Sequence, residues 1–190
     1  MPDERRPVFA AAIMPARDGA ASDEHAFTGA AALCGLAASD VVVFRHLFDP
    51  GRFHTCQVCR AAVAEVLVRE GAVCAAVRRV LCVVDDDACG ADGLEMSFDD
   101  GSDVGVRVRA DWSLTVSGEM WRETGQCSRR HTGMGPDGET LQGVVGQAVV
   151  RRDARWNEVG EFQRFDIAFP RAVLHIGQWG GELTVEVETL

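Results

Sequence analysis

Apolar positions along the chain change their spacing once, near residue 71. Over residues 57–70 they recur at the spacing of one helix face, and Gly71 follows as a residue suited to end a helix. Beyond it, apolar and polar residues alternate, which is typical of strands with one buried face. The pattern therefore predicts an α+β protein with one helix in its N-terminal part and a mostly antiparallel β region after it.

Strands are predicted wherever β-branched or alternating runs stand between turn residues. One short run precedes the helix, at 41–44, and the others follow it. Asp99-Asp100-Gly101 separates two of them and predicts a hairpin turn. The later runs are 77–84, 94–98, 104–108, 114–116, 144–150, 165–169, 173–176 and 183–187.

Local composition divides the chain into five predicted segments. They are a loose N-terminal arm (1–21), a cysteine-bearing module (22–71), two β-rich halves (72–124 and 141–190) and a glycine-rich linker (125–140) between the halves. Both halves read as strand, turn, strand, then Trp followed by Leu-Thr-Val, which suggests an internal repeat. The alternative is that any two three-strand meanders look alike at this level.

Charge and hydropathy narrow the class of protein. The 190 residues include 29 acidic and 19 basic side chains, a formal net charge of −10, and every basic residue is arginine. Together with the absence of tyrosine this is the bias of a GC-rich bacterial genome, so the arginines are weak support for phosphate binding. No run approaches the roughly 20 apolar residues of a membrane span, and the charged N-terminus does not resemble a signal peptide. A cytoplasmic protein without membrane contact is predicted.

Seven cysteines in a cytoplasmic chain favour metal ligands, core residues or reactive thiols over disulfides. Cys56-Gln-Val-Cys59 has the C-x2-C spacing of a zinc knuckle, and its second cysteine opens the predicted helix. Cys34-Gly35 lies upstream, where the glycine suits a tight turn after a ligand, and His25 precedes it. Together these four side chains predict a tetrahedral zinc site with three cysteines and one histidine: His25, Cys34, Cys56 and Cys59.

The pattern His25-x8-Cys34-Gly35, a spacer, then Cys56-x2-Cys59-Arg60 resembles the small zinc-ribbon-like or treble-clef-like modules of uncharacterised proteins from high-GC bacteria. The resemblance covers residues 23–68, about a quarter of the chain. In those modules a histidine, a Cys-Gly and a C-x-x-C-R at a helix start are taken to share one structural zinc. The resemblance therefore implies a zinc that holds the fold and catalyses nothing.

Several alternatives to this site stay open. Two more histidines lie inside the spacer and rank after His25 as the fourth ligand, first His54, whose position two residues before Cys56 disfavours a chelate, and then His46. The C-x-x-C pair could also carry no metal, or act as a redox pair, although the βαβ context of a thioredoxin-like fold is missing. Elsewhere, Cys74 and Cys82 are predicted core residues. A second metal site from Cys89, Cys127 and His131 is only weakly indicated.

Three classes of function follow from these features. The first is a non-enzymatic, zinc-stabilised interaction protein that binds a protein partner through an acidic β-rich surface, loosely resembling small bacterial immunity and antitoxin-like proteins. The second is a nucleic-acid-binding zinc-ribbon regulator, which the net negative charge disfavours. The third is an enzyme with a site between the β-rich halves, although no established catalytic motif is present. Nothing in the sequence predicts the oligomeric state.

Particular side chains go with each class. The acidic surface would include the aspartates of the predicted hairpin turn, and the nucleic-acid interface would need arginines of the first third on one face. An enzyme would use His131, His175 or a carboxylate, although His175 on its predicted strand is better explained as a structural histidine. The aspartates are Asp99, Asp100 and Asp103, and the arginines are Arg45, Arg52, Arg60 and Arg69.

Overall fold

The structure, a computed structural model, describes residues 9–15, 23–50, 54–84, 87–108, 114–118, 128–132, 141–158 and 161–190. Of residues 81–84, 87–92 and 128–132 only the backbone enters the description below. The described elements are one α-helix, two short 3-10 turns and a series of strands. In chain order the strands and helix are β1 (Ala10–Ile13), β2 (Glu24–Phe27), β3 (Val42–Leu47), α1 (Gln57–Leu67), β4 (Cys74–Val84), β5 (Asp87–Phe98), β6 (Asp103–Val108), β7 (Leu114–Ser117), β8 (Ser128–Thr132), β9 (Arg151–Trp156), β10 (Phe162–Phe169), β11 (Ala172–Trp179) and β12 (Glu182–Thr189).

These strands form three antiparallel sheets. The first has the order β2-β1-β3, the second β7-β6-β5-β4-β8, and the third β12-β11-β10-β9. The two larger sheets each contain four consecutive strands in meander order, and the second sheet adds β8 beside β4. An α+β fold with one helix and mostly antiparallel sheets is therefore confirmed, whereas an internal repeat stays a prediction.

One hydrophobic core joins the two larger sheets and α1. Alternation along β10 and β11 turns Phe165, Ile167, Leu174 and Ile176 inward, where all four are fully buried. β12 packs across β5 and β6, while α1 packs on β7, β9 and β10. Because residues of 22–71 and of both β-rich halves share this core, the three segments pack as one body.

Two predicted boundaries shift in the structure. The helix ends at Leu67 rather than at residue 70, and Gly71 instead takes a positive φ of 86° and donates its N–H to the Val149 carbonyl at 2.8 Å. The run 144–150 does not form the predicted strand. A 3-10 turn over Leu141–Val144 precedes a positive-φ Gly146, whose N–H bonds Cys74, so the strand begins only at Arg151.

Two segments expected to lack regular structure contribute strands. Within the predicted arm, 1–21, the run Ala10–Ile13 forms β1, the central strand of the first sheet, with Ala11 and Ala12 fully buried. Within the predicted linker, 125–140, Ser128–Thr132 forms β8 and pairs with β4. Both runs have short or polar sequences with little strand propensity, so pairing with neighbours decides their conformation.

Two strands lie at sheet edges with contrasting side chains. All six residues of β3 are exposed, including Val42, Val43, Phe44 and Leu47. β12 turns Leu183 and Val185 into the core, while its glutamates Glu182, Glu186 and Glu188 are exposed. Among the described residues, no helix has the length and apolar character needed to cross a membrane.

A truncation in the shared core tests this arrangement. Ile176→Ala should lower the free energy of unfolding by about 2–5 kcal/mol, because it leaves a cavity among fully buried neighbours. The matched change Val173→Ala, on the outer face of the same strand, should cost well under about 1 kcal/mol. Urea unfolding followed by tryptophan fluorescence and far-UV circular dichroism should give coincident transitions in each variant. Two separate transitions would contradict a single core.

Candidate metal centre

His25, Cys34, Cys56 and Cys59 lie together at the junction of the first sheet and the helix. One candidate ligand atom from each side chain lies within 4.8 Å of the others. His25 and Cys59 are buried, and Cys34 and Cys56 are half-buried. The structure thus brings all four predicted ligands to one point, with donor atoms suited to a metal ion.

Cys34 reaches the cluster through a tight turn after β2. The Leu33 N–H donates to the Ala26 carbonyl at 2.9 Å, which folds the chain back beside β2. Gly35 adopts a φ of 93°, a conformation that a Cβ atom disfavours and that glycine adopts without strain. The Cys34 Sγ consequently lies 3.3 Å from the His25 Nδ1.

The helix start carries the other two sulfurs. Cys56 is the N-cap of α1, and Cys59 lies in the first turn, so the two thiols face the same side. β2 fixes this turn because the Cys56 N–H donates to the Glu24 carbonyl at 2.9 Å and the Glu24 N–H donates to the His54 carbonyl at 2.6 Å. The Cys59 Sγ then lies 3.9 Å from the His25 Nδ1.

The two knuckle cysteines differ in their affinity for a proton. The pKa of Cys56 is lowered to about 5, chiefly by a hydrogen bond from the Cys59 thiol, which burial opposes and to which the Cys59 N–H, the His25 charge and the Val58 N–H add. The pKa of Cys59 is raised by that same hydrogen bond and by burial. The pair therefore holds one proton on Cys59 and presents a thiolate at Cys56, the form that binds metals.

His25 points its Nδ1 at the thiols and its Nε2 away from them. The Nε2 atom is buried and has no hydrogen-bond partner in the part of the chain that the structure describes. A neutral ring that offers the Nδ1 lone pair to a ligand carries its proton on Nε2. Burying that N–H without an acceptor costs stability, which a strong bond at Nδ1 would offset.

The two alternative histidines lie outside the cluster. His46 is on exposed β3, and its Nε2 contacts the Glu24 carboxylate at 2.9 Å. His54 is exposed in a left-handed conformation with φ 58° just before the helix. The sequence ranks His25 ahead of His54 and His46 without excluding either, and in the structure the pairing of β2 with β1 places His25, of these three, beside the sulfurs.

The other cysteines are one core residue and three whose side chains lie outside the described part of the structure. Cys74 is fully buried, as predicted, and burial raises its pKa to about 11. The side chains of the predicted core residue Cys82 and of the weakly indicated second metal site, Cys89, Cys127 and His131, lie outside the described part of the structure.

The acidic hairpin turn is held together by its own side chains. Asp100 accepts the Ser102 N–H at 2.8 Å and the Ser102 hydroxyl at 2.6 Å, and it also pairs with Arg69 at 3.6 Å. Asp99 accepts the Val73 N–H at 2.8 Å, and Asp103 accepts the Ser97 hydroxyl at 2.8 Å. All three carboxylates thus stabilise the β5–β6 connection.

The arginines proposed for nucleic-acid contact do not share an exposed face. Arg60 is 1% exposed, and its Nε donates to the Thr55 hydroxyl at 2.8 Å. Arg69 pairs with Asp100, whereas Arg45 lies on β3. Arg52 is outside the described residues.

A second polar group lies on the outer face of the third sheet and joins His175, a predicted structural histidine, to three residues that the sequence did not single out. Register places Asp166 opposite His175, and the His175 Nδ1 lies 2.8 Å from the Asp166 carboxylate. Arg164 donates to that carboxylate at 2.6 Å, and Arg155 donates at 3.3 Å. His175 therefore faces away from the core between the sheets, which is where the alternative enzyme site would lie. Alternation along β10 and β11 hinted at this face, but only strand register shows the pairing.

No protein-family model, curated protein or solved structure matches this chain. The zinc-ribbon resemblance accordingly stays a prediction. What the geometry itself establishes is a clustered set of one imidazole and three thiols in a half-buried junction.

The Asp166 group predicts a pH-dependent contribution to stability. Burial opposes ionisation of Asp166, but hydrogen bonds and charges from Arg164 and His175 outweigh it and hold the pKa below the ordinary 3.8. The contribution is therefore complete above pH 3.8 and is lost as the pH falls through the folded-state pKa. Asp166→Asn should cost about 1–3 kcal/mol near neutral pH, and urea titrations should show this cost shrinking in acid.

The more exposed Asp153, whose one ion pair among the described residues is with Arg155 at 3.1 Å, supplies the control. Asp153→Asn should change the free energy of unfolding by less than about 1 kcal/mol both near neutral pH and in acid. An Asp166→Asn cost that is the same at both pH values would contradict the assignment.

Proposed function

We propose that this chain binds one structural zinc ion through His25, Cys34, Cys56 and Cys59. The observation that carries the proposal is the convergence of three sulfurs and one imidazole nitrogen within 4.8 Å. Thiolate and imidazole are the ligands zinc prefers, and three cysteines with one histidine is a common structural set. Ordinary hydrogen bonding does not explain the grouping, because thiols are weak donors and weak acceptors.

The distances support tetrahedral coordination. With Zn–S bonds of about 2.3 Å and a Zn–N bond of about 2.0 Å, tetrahedral ligand atoms stand roughly 3.5–3.8 Å apart. The two distances from the His25 Nδ1, 3.3 Å to the Cys34 Sγ and 3.9 Å to the Cys59 Sγ, bracket that range. All the ligand atoms lie within 4.8 Å of one another, and rotation of the half-buried Cys34 and Cys56 thiols would bring them to tetrahedral spacing.

Four protein ligands leave no coordination position for a substrate, so the ion would serve the fold. It would join β2, the turn at Gly35 and the start of α1, which are otherwise connected by a few backbone hydrogen bonds. The first sheet contributes little to the main core, since Ala12, Phe27 and Ala32 form a small cluster of their own. Zinc would therefore supply stability that this sheet cannot draw from burial alone.

The molecular role we propose is binding of a basic protein partner by an acidic surface, in a cytoplasm that keeps the thiols reduced. The net charge of −10 supports attraction of a basic partner. The hairpin aspartates serve the fold, so the exposed acids available for contact are better sought on β12. Glu182 and Glu186 are exposed there and make no ion pair within the described residues. An immunity-like or antitoxin-like activity is one form this role could take.

Two alternatives have less support. A nucleic-acid-binding regulator needs a surface of free arginines, and Arg60 is buried while Arg69 is paired. An enzyme between the β-rich halves would need polar groups where the described core is apolar.

Metal analysis tests the zinc site. Wild-type chain purified without added metal should contain about one zinc per molecule, and Cys56→Ser should lose it because a hydroxyl is a poor zinc ligand. The melting temperature of the variant should fall by roughly 2–4 °C for each kcal/mol of lost stability. Cys74→Ala is the matched control, since Cys74 is buried away from the cluster. Absence of metal from wild type, or its retention in Cys56→Ser, would contradict the proposal.

Substitution of each histidine identifies the fourth ligand. His25→Ala should change the absorption spectrum of the cobalt-loaded protein and weaken metal binding, because Nδ1 is the nitrogen that faces the sulfurs. His46→Ala and His54→Ala should leave the spectrum unchanged, since neither residue belongs to the cluster. A spectral change in His54→Ala alone would assign the fourth position to that residue.

Charge removal on β12 tests the partner proposal. The double variant Glu182→Gln/Glu186→Gln should retain fewer basic proteins than wild type in low-salt affinity capture, because exposed charges accelerate association. Asp99→Asn should instead lower stability, since its carboxylate accepts the Val73 N–H. Equal capture by the double variant and wild type would exclude β12 as the acidic contact surface.

A further inference from the structure

The outer face of the third sheet contains an open cavity of about 230 Å³. Strand register explains why it forms. Arg151 on β9 stands opposite Ala168 on β10, Ala168 opposite Val173 on β11, and Val173 opposite Glu188 on β12. A row across all four strands therefore has charged ends and two small apolar side chains in the middle, which leave the space unfilled.

The two ends of the row carry opposite charges that do not neutralise each other. The Arg151 guanidinium makes no ion pair within the described part of the chain. Glu188 lines the cavity at the other end. One of its carboxylate oxygens lies 3.1 Å from the His175 Nε2, and 62% of its side chain is exposed. Three strand spacings of about 4.8 Å separate the backbone positions of Arg151 and Glu188, so their side chains flank the cavity rather than meet.

The wall beside this row is held rigid. Asp166 receives hydrogen bonds from Arg164 at 2.6 Å and Arg155 at 3.3 Å, and it contacts His175 at 2.8 Å. Asp166 is 7% exposed, so this network is fixed against the sheet. A ligand would meet a preorganised wall, which lowers the entropic cost of binding.

Charge balance then selects the class of ligand. The lining has three arginines, Arg151, Arg155 and Arg164, three carboxylates, Asp153, Asp166 and Glu188, and His175. A balanced lining offers little to a ligand of one charge sign. Its free cationic end at β9 and its anionic end at β12 instead suit a molecule that carries both charges on a short body with small apolar side groups.

We propose that this cavity binds a small zwitterion of amino-acid or dipeptide size. The ligand's carboxylate would pair with Arg151, its ammonium group with Glu188, and its small apolar side groups would lie on Ala168 and Val173. The volume of about 230 Å³ is below the roughly 300 Å³ at which pockets for drug-sized ligands begin. This site is separate from the metal centre and does not depend on zinc.

Three matched probes test the proposal on the full-length chain by amide chemical-shift titration. L-alanyl-L-alanine carries both charges, its N-acetyl derivative only the negative one, and its C-terminal amide only the positive one. The dipeptide should shift the amides of Arg151, Ala168, Val173 and Glu188. It should bind at least about threefold more tightly than either derivative, because each charge pair contributes modestly at a partly exposed site.

Charge-removing variants assign the two ends. In Arg151→Gln the dipeptide and its amide should bind alike, and in Glu188→Gln the dipeptide and its N-acetyl derivative should bind alike. Arg151 and Glu188 are exposed, so both variants should fold. Glu182→Gln, at another exposed position of β12, is the control and should bind the probes as wild type does. No shifts in the millimolar range, equal affinity for the three probes, or tighter binding of the N-acetyl derivative would overturn the proposal.

Discussion

Burial of two apolar sheet faces against each other is the constraint on which the rest of the structure depends. Each larger sheet is a meander with one apolar side, and neither face could stay in water without cost. β12 crosses β5 and β6 on one side of this contact, and α1 covers the other side against β7, β9 and β10. The helix is thereby fixed in position, and its first turn places the buried Cys59 and the half-buried Cys56 at the edge of the core, close to His25 on β2.

The metal centre follows from that position. Backbone hydrogen bonds from β2 reach the residues just before α1, and the same strand carries His25. β2 therefore pairs with β1 in a sheet that has only a small apolar cluster of its own, and β2 also contacts α1, which is buried in the main core. A zinc ion at this junction would link the first sheet, which buries little apolar surface, to α1 and the main core. That link is how the proposed site would stabilise the fold.

Much of this was accessible from the sequence because it depends on local patterns. Alternation along 165–169 and 183–187 revealed strands, helical spacing revealed α1, and the C-x2-C spacing with Cys34 and His25 indicated the cluster. Other features depend on pairing between distant segments, which spacing does not encode. β1 consists of alanines and one isoleucine, and β8 is polar, so only their partners make them strands. Strand register likewise brings Asp166 to His175, and turn geometry decides which hydrogen bonds the hairpin aspartates accept.

The glutamates of β12 have a consequence for how copies of this protein behave near each other. β12 is an edge strand of its sheet, and an edge offers unpaired backbone groups to any strand that approaches. Two copies that met edge to edge would bring Glu182, Glu186 and Glu188 of both chains together, so like charges keep the edges apart. Added salt shortens the reach of that repulsion to about 10 Å at 0.1 M. Colloidal stability in concentrated solutions should therefore fall as ionic strength rises, because the repulsion between β12 edges no longer reaches across the gap between molecules.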